Sequence, residues 1–256
     1  MKRVIIFLSI FFLCNSLFSQ MDLYRDTSVN VIENNTNFNN AWASGINAAQ
    51  FNEIDLDFDG KMDLVVFDKS GNKLIPYLNK NGKFVFAPKY RSYFPELHDW
   101  VIFEDYNCDG KKDIYTYTSG GLGIYKNTSS SFLSFSLVTD LVLSDYGGPN
   151  PINIFISAVD IPAVSDVYYD GDLDILTFKI TGGFIEFHKN MAMEQTGNCD
   201  TVIFQLEESC WGNFYEGLNN YTLNCQNCQC PPIINHPNAK QKHAGSTLLL
   251  IDIDND

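Results

Sequence analysis

The chain is poor in positive charge. Its 256 residues include 17 lysine and arginine residues against 31 aspartate and glutamate residues, which gives a formal net charge of −14 at pH 7. A surface of that sign repels nucleic acid and anionic lipid. The sequence also lacks a Gly-x-Ser-x-Gly elbow, a His-Glu-x-x-His pair and a glycine-rich phosphate loop. We therefore expect neither nucleic-acid binding nor an enzymatic activity.

Long apolar runs are scarce as well, and the one clear run lies near the N-terminus. Lys2 and Arg3 precede it, and it extends from Val4 to Leu13, about half of the roughly twenty residues that a membrane-spanning helix needs. Small and polar residues follow it. This arrangement is typical of a secretory signal peptide, so we predict a signal peptide over residues 1–20, no membrane span and an exported protein. Cys14 leaves lipidation open as an alternative.

The charge is more negative without the predicted signal peptide. Fifteen basic groups then remain against 31 acidic ones, and the formal charge becomes −16. Aromatic residues nevertheless make up 14% of the chain and apolar residues 45%, which acidic disordered chains do not show. The acidity must therefore be compatible with a packed core, and the positions of the carboxylates decide what they are for.

A nine-residue acidic motif organises the chain. It occurs at Asp55–Asp63, Asp105–Asp113 and Asp166–Asp174, each time followed by β-branched and aromatic residues, and a fourth copy begins at Asp252. The copies hold four, three, four and three acidic residues, which is fourteen of the 31. The negative charge is thus concentrated in a repeat rather than spread over the surface.

Each complete motif has the features of a calcium loop. Side-chain oxygens at positions one, three, five and nine can surround a hard cation, and the glycine at position six permits the positive φ that turns the chain back. Packing so many carboxylates together without a cation would cost free energy through repulsion. We predict that Ca²⁺ binds to the oxygens of these residues: Asp55, Asp57, Asp59, Asp63, Asp105, Asn107, Asp109, Asp113, Asp166, Asp170, Asp174, Asp252, Asp254 and Asp256.

The third motif departs from this pattern, because Tyr168 stands at its third position. We expect this site to take an oxygen from water, from Asp172 or from Asp160 instead. An EF-hand is disfavoured for all copies, because that loop carries glutamate at position twelve and lies between two helices. Here position twelve is valine or threonine, and the flanking residues favour strands.

The sequence between the motifs predicts an all-β fold. The motifs start 50, 61 and 86 residues apart, which leaves room for four strands in each unit. The predicted strands are one ending at Ile54, 64–68, 73–79 and 83–87, then 100–103, 114–118, 122–126 and 131–137, then 153–159, 175–180 and 184–188. Four-stranded antiparallel units at this spacing predict the blades of a β-propeller.

The same signals divide the chain into segments. The signal peptide at 1–20 is followed by an N-terminal segment at 21–50 that leads into the first blade. An incomplete β-propeller, with three calcium-loop repeats and the start of a fourth, occupies 51–256. Within it, residues 191–242 form a cysteine-rich insertion.

The loops and the strands that follow them resemble FG-GAP or VCBS repeats, the calcium-loop blades of integrin α-subunits and of many exported bacterial proteins. Longer stretches are similar to large secreted proteins of Gram-negative bacteria that use the type IX system and a C-terminal sorting domain. Those stretches are Gly45–Phe51, Trp100–Asp113, Asp160–Asp174, Cys210–Gly212 and His243–Thr247. The resemblance implies an extracellular, calcium-bound propeller in a family that mostly lacks an assigned activity. We expect the chain to be an N-terminal fragment of such a protein.

Cysteines are the second candidate for chemistry. Six follow the signal peptide, namely Cys108, Cys199, Cys210, Cys225, Cys228 and Cys230, and an even number in an exported protein favours disulfides. We predict that most of the five in the insertion are bridged, and that Cys108 is either bridged to the insertion or free. The alternative is a zinc site in which Cys225 and Cys228 act with Cys230, His236 or His243.

The insertion also contains an aromatic group, Trp211, Phe214, Tyr215 and Tyr221. We expect it to form a small core, with stacking on sugar rings as the alternative. The favoured function is a calcium-binding extracellular scaffold for adhesion, whose partner is a glycan or a surface protein bound through the insertion. The alternatives are the propeller of a secreted carbohydrate-active enzyme, or a spacer for a domain beyond Asp256.

Overall fold

The computed structural model describes residues 26, 28–180, 182–217, 221–225 and 247–251. The predicted signal peptide and the fourth acidic motif lie outside the described residues. The chain divides into two compact units, of which the first ends at Ala41 and the second begins at Trp42. The first unit holds a hairpin of β1 (Ile32–Glu33) and β2 (Thr36–Asn37).

The second unit begins with two four-stranded antiparallel sheets, each a meander in chain order. The first sheet consists of β3 (Ala49–Ile54), β4 (Asp63–Asp68), β5 (Lys73–Lys80) and β6 (Lys83–Phe86). The second consists of β7 (Val101–Glu104), β8 (Asp113–Thr118), β9 (Gly121–Asn127) and β10 (Phe135–Thr139). A short 3₁₀ helix, Pro88–Tyr93, lies between them. All eight strands overlap predicted ones, and the acidic loops join the first and second strand of each sheet.

The third sheet has six strands, β11 (Leu143–Asp145), β12 (Ile152–Asn153), β13 (Ala163–Ser165), β14 (Asp174–Phe178), β15 (Ile185–Asn190) and β16 (Phe204–Glu208). Their order is β12-β11-β16-β15-β14-β13, so β13 to β16 repeat the meander. β11 is added in parallel to β16, with Ser144 opposite Phe204. A helix, α1 (Ala192–Thr196), connects β15 to β16. Two short strands, β17 (Tyr215–Glu216) and β18 (Tyr221–Thr222), pair with each other.

The predicted strand 153–159 is wrong. Only Asn153 belongs to a strand there, and the strand before the third loop is Ala163–Ser165. Ile154 and Ile156 are buried while Phe155 is exposed, so the alternation that suggested a strand is real. It reports only which side of the chain is buried, whereas a strand also needs a continuous hydrogen-bonded partner.

Neighbouring sheets pack face to face around two apolar clusters. The cluster between the first and second sheets includes Phe67 and Phe103. The cluster between the second and third includes Trp100, Tyr115 and Ile175. Phe67 and Trp100 are completely buried, and the burial of such large side chains dominates the stability of the packing.

The strands that precede the three acidic loops lie around one cavity of about 660 Å³. It is lined by β3, β7, β13 and residues 247–250. The amide of Gln50 accepts a hydrogen bond from the Val101 nitrogen at 3.1 Å and donates to the Val101 oxygen at 3.2 Å. This arrangement resembles inner strands around a propeller axis, although the described residues do not form a closed propeller. No helix in this part of the chain combines the length and apolarity needed to cross a bilayer.

Candidate metal centres

The three acidic loops share one backbone conformation. The residues at position four have positive φ angles of 59°, 60° and 56°, and the glycines at position six have φ angles of 80°, 82° and 101°. These residues are Phe58, Cys108 and Tyr169, then Gly60, Gly110 and Gly171. A left-handed conformation at a residue with a side chain costs about 1–2 kcal/mol, so its recurrence means that the other contacts of the loop hold it in place.

Those contacts begin with the aspartate at position nine, which is buried in every copy. One carboxylate oxygen accepts from the backbone nitrogen of position two, and the other accepts from a backbone nitrogen in the third strand of the four-stranded meander. The first set of bonds is Leu56 to Asp63, Tyr106 to Asp113 and Val167 to Asp174, at 2.8, 3.0 and 3.0 Å. The second set comes from Asn79, Asn127 and Asn190, at 2.6, 2.6 and 2.8 Å. Position nine, which begins the strand after the loop, therefore ties the start of the loop to the strand that carries the asparagine.

The sequence-based prediction did not include these three asparagines. The side-chain nitrogen of each donates to the carbonyl of position eight, at 3.1, 3.0 and 3.3 Å. The side-chain oxygen accepts from Gly82, Ser129 and Ala192, at 2.8, 3.0 and 3.2 Å. The sequence does contain a pattern that predicts them, because an asparagine recurs at or near the end of the third strand in each repeat. That asparagine, however, lies far from the acidic motif in the chain.

The first loop brings three carboxylates together. One oxygen from each of Asp55, Asp57 and Asp63 lies within 4.8 Å of the others. Asp55 Oδ1 and Asp57 Oδ1 are buried without a hydrogen-bond partner, while Asp57 Oδ2 pairs with Lys80 at 2.6 Å. The predicted ligand Asp59 does not join them, because its carboxylate accepts from the Lys61 nitrogen and pairs with its ammonium. Burial raises the pKa of Asp63.

The second loop places Asp105, Asn107 and Asp113 together. Asp105 accepts from the nitrogens of Gly110 and Asp109, at 2.7 and 3.1 Å. Burial raises the pKa of Asp113 to about 6, despite two backbone hydrogen bonds that lower it. One end of the buried Asn107 amide lies 3.1 Å from Asp105 Oδ1 and 3.2 Å from Asp113 Oδ2. Asp109 accepts from the Lys111 nitrogen at 3.0 Å.

The comparisons with known proteins identify this part of the chain. Residues 55–116 match the family model of the FG-GAP-like repeat. The stretch is similar to an FG-GAP-like repeat. It includes the first two loops and all four strands between them, β4 to β7, and such repeats are typical of extracellular domains. No curated protein and no solved structure matches the chain.

The third loop lies outside the matched FG-GAP-like repeat but carries the same backbone hydrogen bonds. Tyr168, at the third position of this loop, packs against a lysine. The Lys189 ammonium lies over its ring, 4.6 Å from the ring centroid. Asp172 is fully buried, with Oδ2 accepting from Met193 at 2.9 Å and Oδ1 without a partner. Burial and the neighbouring Asp170 raise the pKa of Asp172.

Of the two carboxylates considered as substitutes for the tyrosine, Asp172 interacts electrostatically with Asp170 and Asp174 of the same loop. Asp160 accepts from Ser157 and interacts electrostatically with Lys69, which lies at the end of the first sheet opposite to its loop. Burial raises the pKa of Asp174 to about 7, and the other loop carboxylates add to the rise. Asp166 accepts from Asp170 and Gly171, at 3.2 and 3.0 Å.

A disulfide joins the second loop to the segment after α1. It links Cys108 to Cys199 across 91 residues of sequence, which confirms the bridged alternative for Cys108. Cys210 and Cys225 are also disulfide-bonded, so Cys225 is not available as a thiolate for the zinc alternative. The other candidates for that site, Cys228, Cys230, His236 and His243, lie outside the described residues.

The aromatic residues after β16 mostly pack on the third sheet. Trp211 and Phe214 contact the cluster on its outer face, and the Tyr215 ring lies 5.0 Å from that of Phe184. Tyr221 is the exception, with 70% of its surface exposed. The predicted insertion is thus partly blade, because it supplies β16.

Proposed function

We propose that the chain is an extracellular calcium-binding repeat protein of the β-propeller type, whose loops hold the sheets in a rigid scaffold for ligand binding. The observation that carries the proposal is the threefold recurrence of one loop conformation, with aspartate at positions one, five and nine and the same backbone hydrogen bonds to the aspartate at position nine. Loops that only turned the chain would not need buried carboxylates at fixed positions, because each buried charge costs free energy.

The donor chemistry fits Ca²⁺. All side-chain donors in the loops are oxygens, which hard cations prefer, and six to eight of them are needed. Asp55 and Asp57 each bury an oxygen without a partner, and a cation between them and Asp63 would satisfy both. Burial raises the pKa of Asp63, Asp113 and Asp174, so a bound divalent cation would favour the ionised carboxylates that burial disfavours.

Each loop would supply its ligands from positions one, three, five and nine. Asp59 would turn from Lys61 toward the ion, and Asp172 would replace the missing oxygen in the third loop. The ion would join the first and second strands of the sheet, because position one follows one strand and position nine begins the next. Calcium would therefore increase the stability of the sheets.

Thermal melting tests the calcium part of the proposal. In millimolar Ca²⁺ the melting temperature should exceed that in excess chelator, because a ligand that binds only the folded state stabilises it by mass action. Asp63→Asn should reduce the bound calcium by one ion per chain, whereas Glu96→Gln, at an exposed residue, should not. Equal melting temperatures with calcium and with chelator would contradict the proposal.

The partner is proposed to be an extracellular glycan or surface protein, bound through the exposed residues after β16. Tyr221 is the exposed aromatic residue there, and aromatic side chains contribute strongly to binding interfaces. Glycan arrays and cell-binding assays in calcium should show binding that Tyr221→Ala weakens about tenfold or more. Phe132→Ala, at another exposed aromatic residue, is the control. Equal loss in both variants, or none in Tyr221→Ala, would place the contact elsewhere.

A further inference from the structure

The amide of Asn107 lies between two sets of groups with opposite requirements. It occupies the third position of the second loop and is only 6% exposed. One end faces Asp105 Oδ1 and Asp113 Oδ2, and the other lies 2.5 Å from Lys126 Nζ. With the nitrogen inward, the amide donates to both carboxylates and its oxygen accepts from Lys126. With the oxygen inward, three oxygens face one another, an arrangement that requires a cation between them.

The oxygen-inward orientation has its own partners on the outer side. The amide nitrogen then lies 3.4 Å from Asp109 Oδ2 and 3.4 Å from Asp200 Oδ1. Asp200 is 93 residues away in sequence, but the disulfide joins Cys108, the neighbour of Asn107, to Cys199, the neighbour of Asp200. The disulfide therefore brings the Asp200 carboxylate to the back of the second loop.

Lys126 opposes this orientation, because its ammonium and the amide nitrogen are both donors. Lys126 Nζ also lies 3.9 Å from Asp200 Oδ1, so Asp200 offers the ammonium another acceptor. We propose that Asp200 is a positioning residue for the second calcium site: it accepts from the Asn107 nitrogen and draws Lys126 aside, so that the amide oxygen points to the ion. This inference rests on the proposed calcium function.

A carboxylate near a cation site also attracts the cation directly, and the two roles make different predictions. If Asn107 is replaced by aspartate, both ends of the side chain are oxygens and no orientation has to be selected. A carboxylate at position 200 then gives no benefit through position 107, and it repels the new charge. Direct attraction of the ion by Asp200 would be unaffected by that replacement. The first loop has aspartate at this position, Asp57, so no amide orientation has to be selected there, and one of its oxygens pairs with Lys80.

The experiment is a calcium titration of the full chain followed by the backbone amide resonance of Gly110. This amide donates to Asp105 at 2.7 Å, so it reports on the second loop alone, while Gly60 and Gly171 report on the other two. Asp200→Ala should weaken binding at the second loop about threefold to tenfold. Residues that orient metal ligands typically change metal affinity about tenfold to a hundredfold. We expect a smaller loss of affinity here because the side chain of Asp200 is 68% exposed.

Companion variants separate the outcomes. Asp200→Asn keeps an acceptor and should lose less calcium affinity at the second loop, and Glu96→Gln should lose none. The double variant Asp200→Ala with Asn107→Asp should bind calcium as tightly as Asn107→Asp alone, or more tightly. Equal weakening by Asp200→Ala in both backgrounds would assign Asp200 to direct attraction and overturn the inference. So would an unchanged affinity in Asp200→Ala, or calcium binding at the first and third loops without the second. Calcium binding at none of the loops would overturn the proposed function as well.

Discussion

At the scale of single residues, the loops depend on uncharged groups as much as on carboxylates. Asn79, Asn127 and Asn190 each use three atoms. The backbone and side-chain nitrogens bond positions nine and eight of the acidic loop, and the side-chain oxygen accepts from the segment that follows the asparagine. The aspartate at position nine is oriented by two backbone donors rather than by a positive charge. Backbone and amide donors, which carry no charge, thus set the geometry of the loop. In the first loop they leave Asp55 Oδ1 and Asp57 Oδ1 without a partner and available to a cation.

Asn127→Ala tests this role. The substitution removes the bond to the Lys112 carbonyl and leaves the buried Ser129 nitrogen without its acceptor, which should cost about 1–3 kcal/mol of stability. The backbone bond from position 127 to Asp113 persists, so the number of bound calcium ions should not change. Urea denaturation gives the loss, and Asn150→Ala at an exposed residue is the control. A loss equal to that of the control would show that the asparagine side chain does not support the loop.

At the scale of elements, the sequence predicts the parts that repeat and misses those that occur once. The first two sheets follow the prediction because every strand except β10 is bounded by an acidic loop or a glycine-containing turn. The Asn81-Gly82 turn, with positive φ at both residues, is such a signal. β11 and β12 could not be predicted, because their place in the third sheet depends on a parallel pairing with β16 about sixty residues later.

The candidate site divides in the same way. Ligands within the acidic motif follow from spacing alone, and the structure brings Asp55, Asp57 and Asp63 together. The burial of Asp172 and the approach of Asp200 depend on groups that meet only in the folded chain. The pairing of Asp59 with Lys61 is local, but the spacing of the motif does not reveal it. The even number of cysteines predicts disulfides but not their pairing. Cys108 pairs with Cys199 because the fold brings two distant loops within bonding distance, and no local sequence pattern predicts that distance.

At the scale of the whole second unit, each sheet is supported to a different degree. In β8, Ile114 faces the cluster shared with the first sheet and Tyr115 faces the cluster shared with the third. Both are 1% exposed or less. In β4, Phe67 faces the shared cluster, but Val66 faces only the small cluster that contains Ala43 and Ile75. The second sheet is therefore packed on both faces, and the first sheet has one large interface.

Hydrogen exchange should reveal this difference. Amides that open only with global unfolding exchange most slowly, and packed central elements supply them. We expect the amides of β8 to exchange more slowly than those of β4, although both strands begin at the ninth position of an acidic loop and have a strand paired on each side. The order should persist in chelator, because it arises from packing between sheets and not from the ion. Mass spectrometry of peptides covering 63–68 and 113–118, in calcium and in chelator, makes the comparison. If β4 were protected as strongly as β8 in both conditions, the sheets would open as one cooperative unit; if chelator abolished the difference, the ion would be the source of the extra protection.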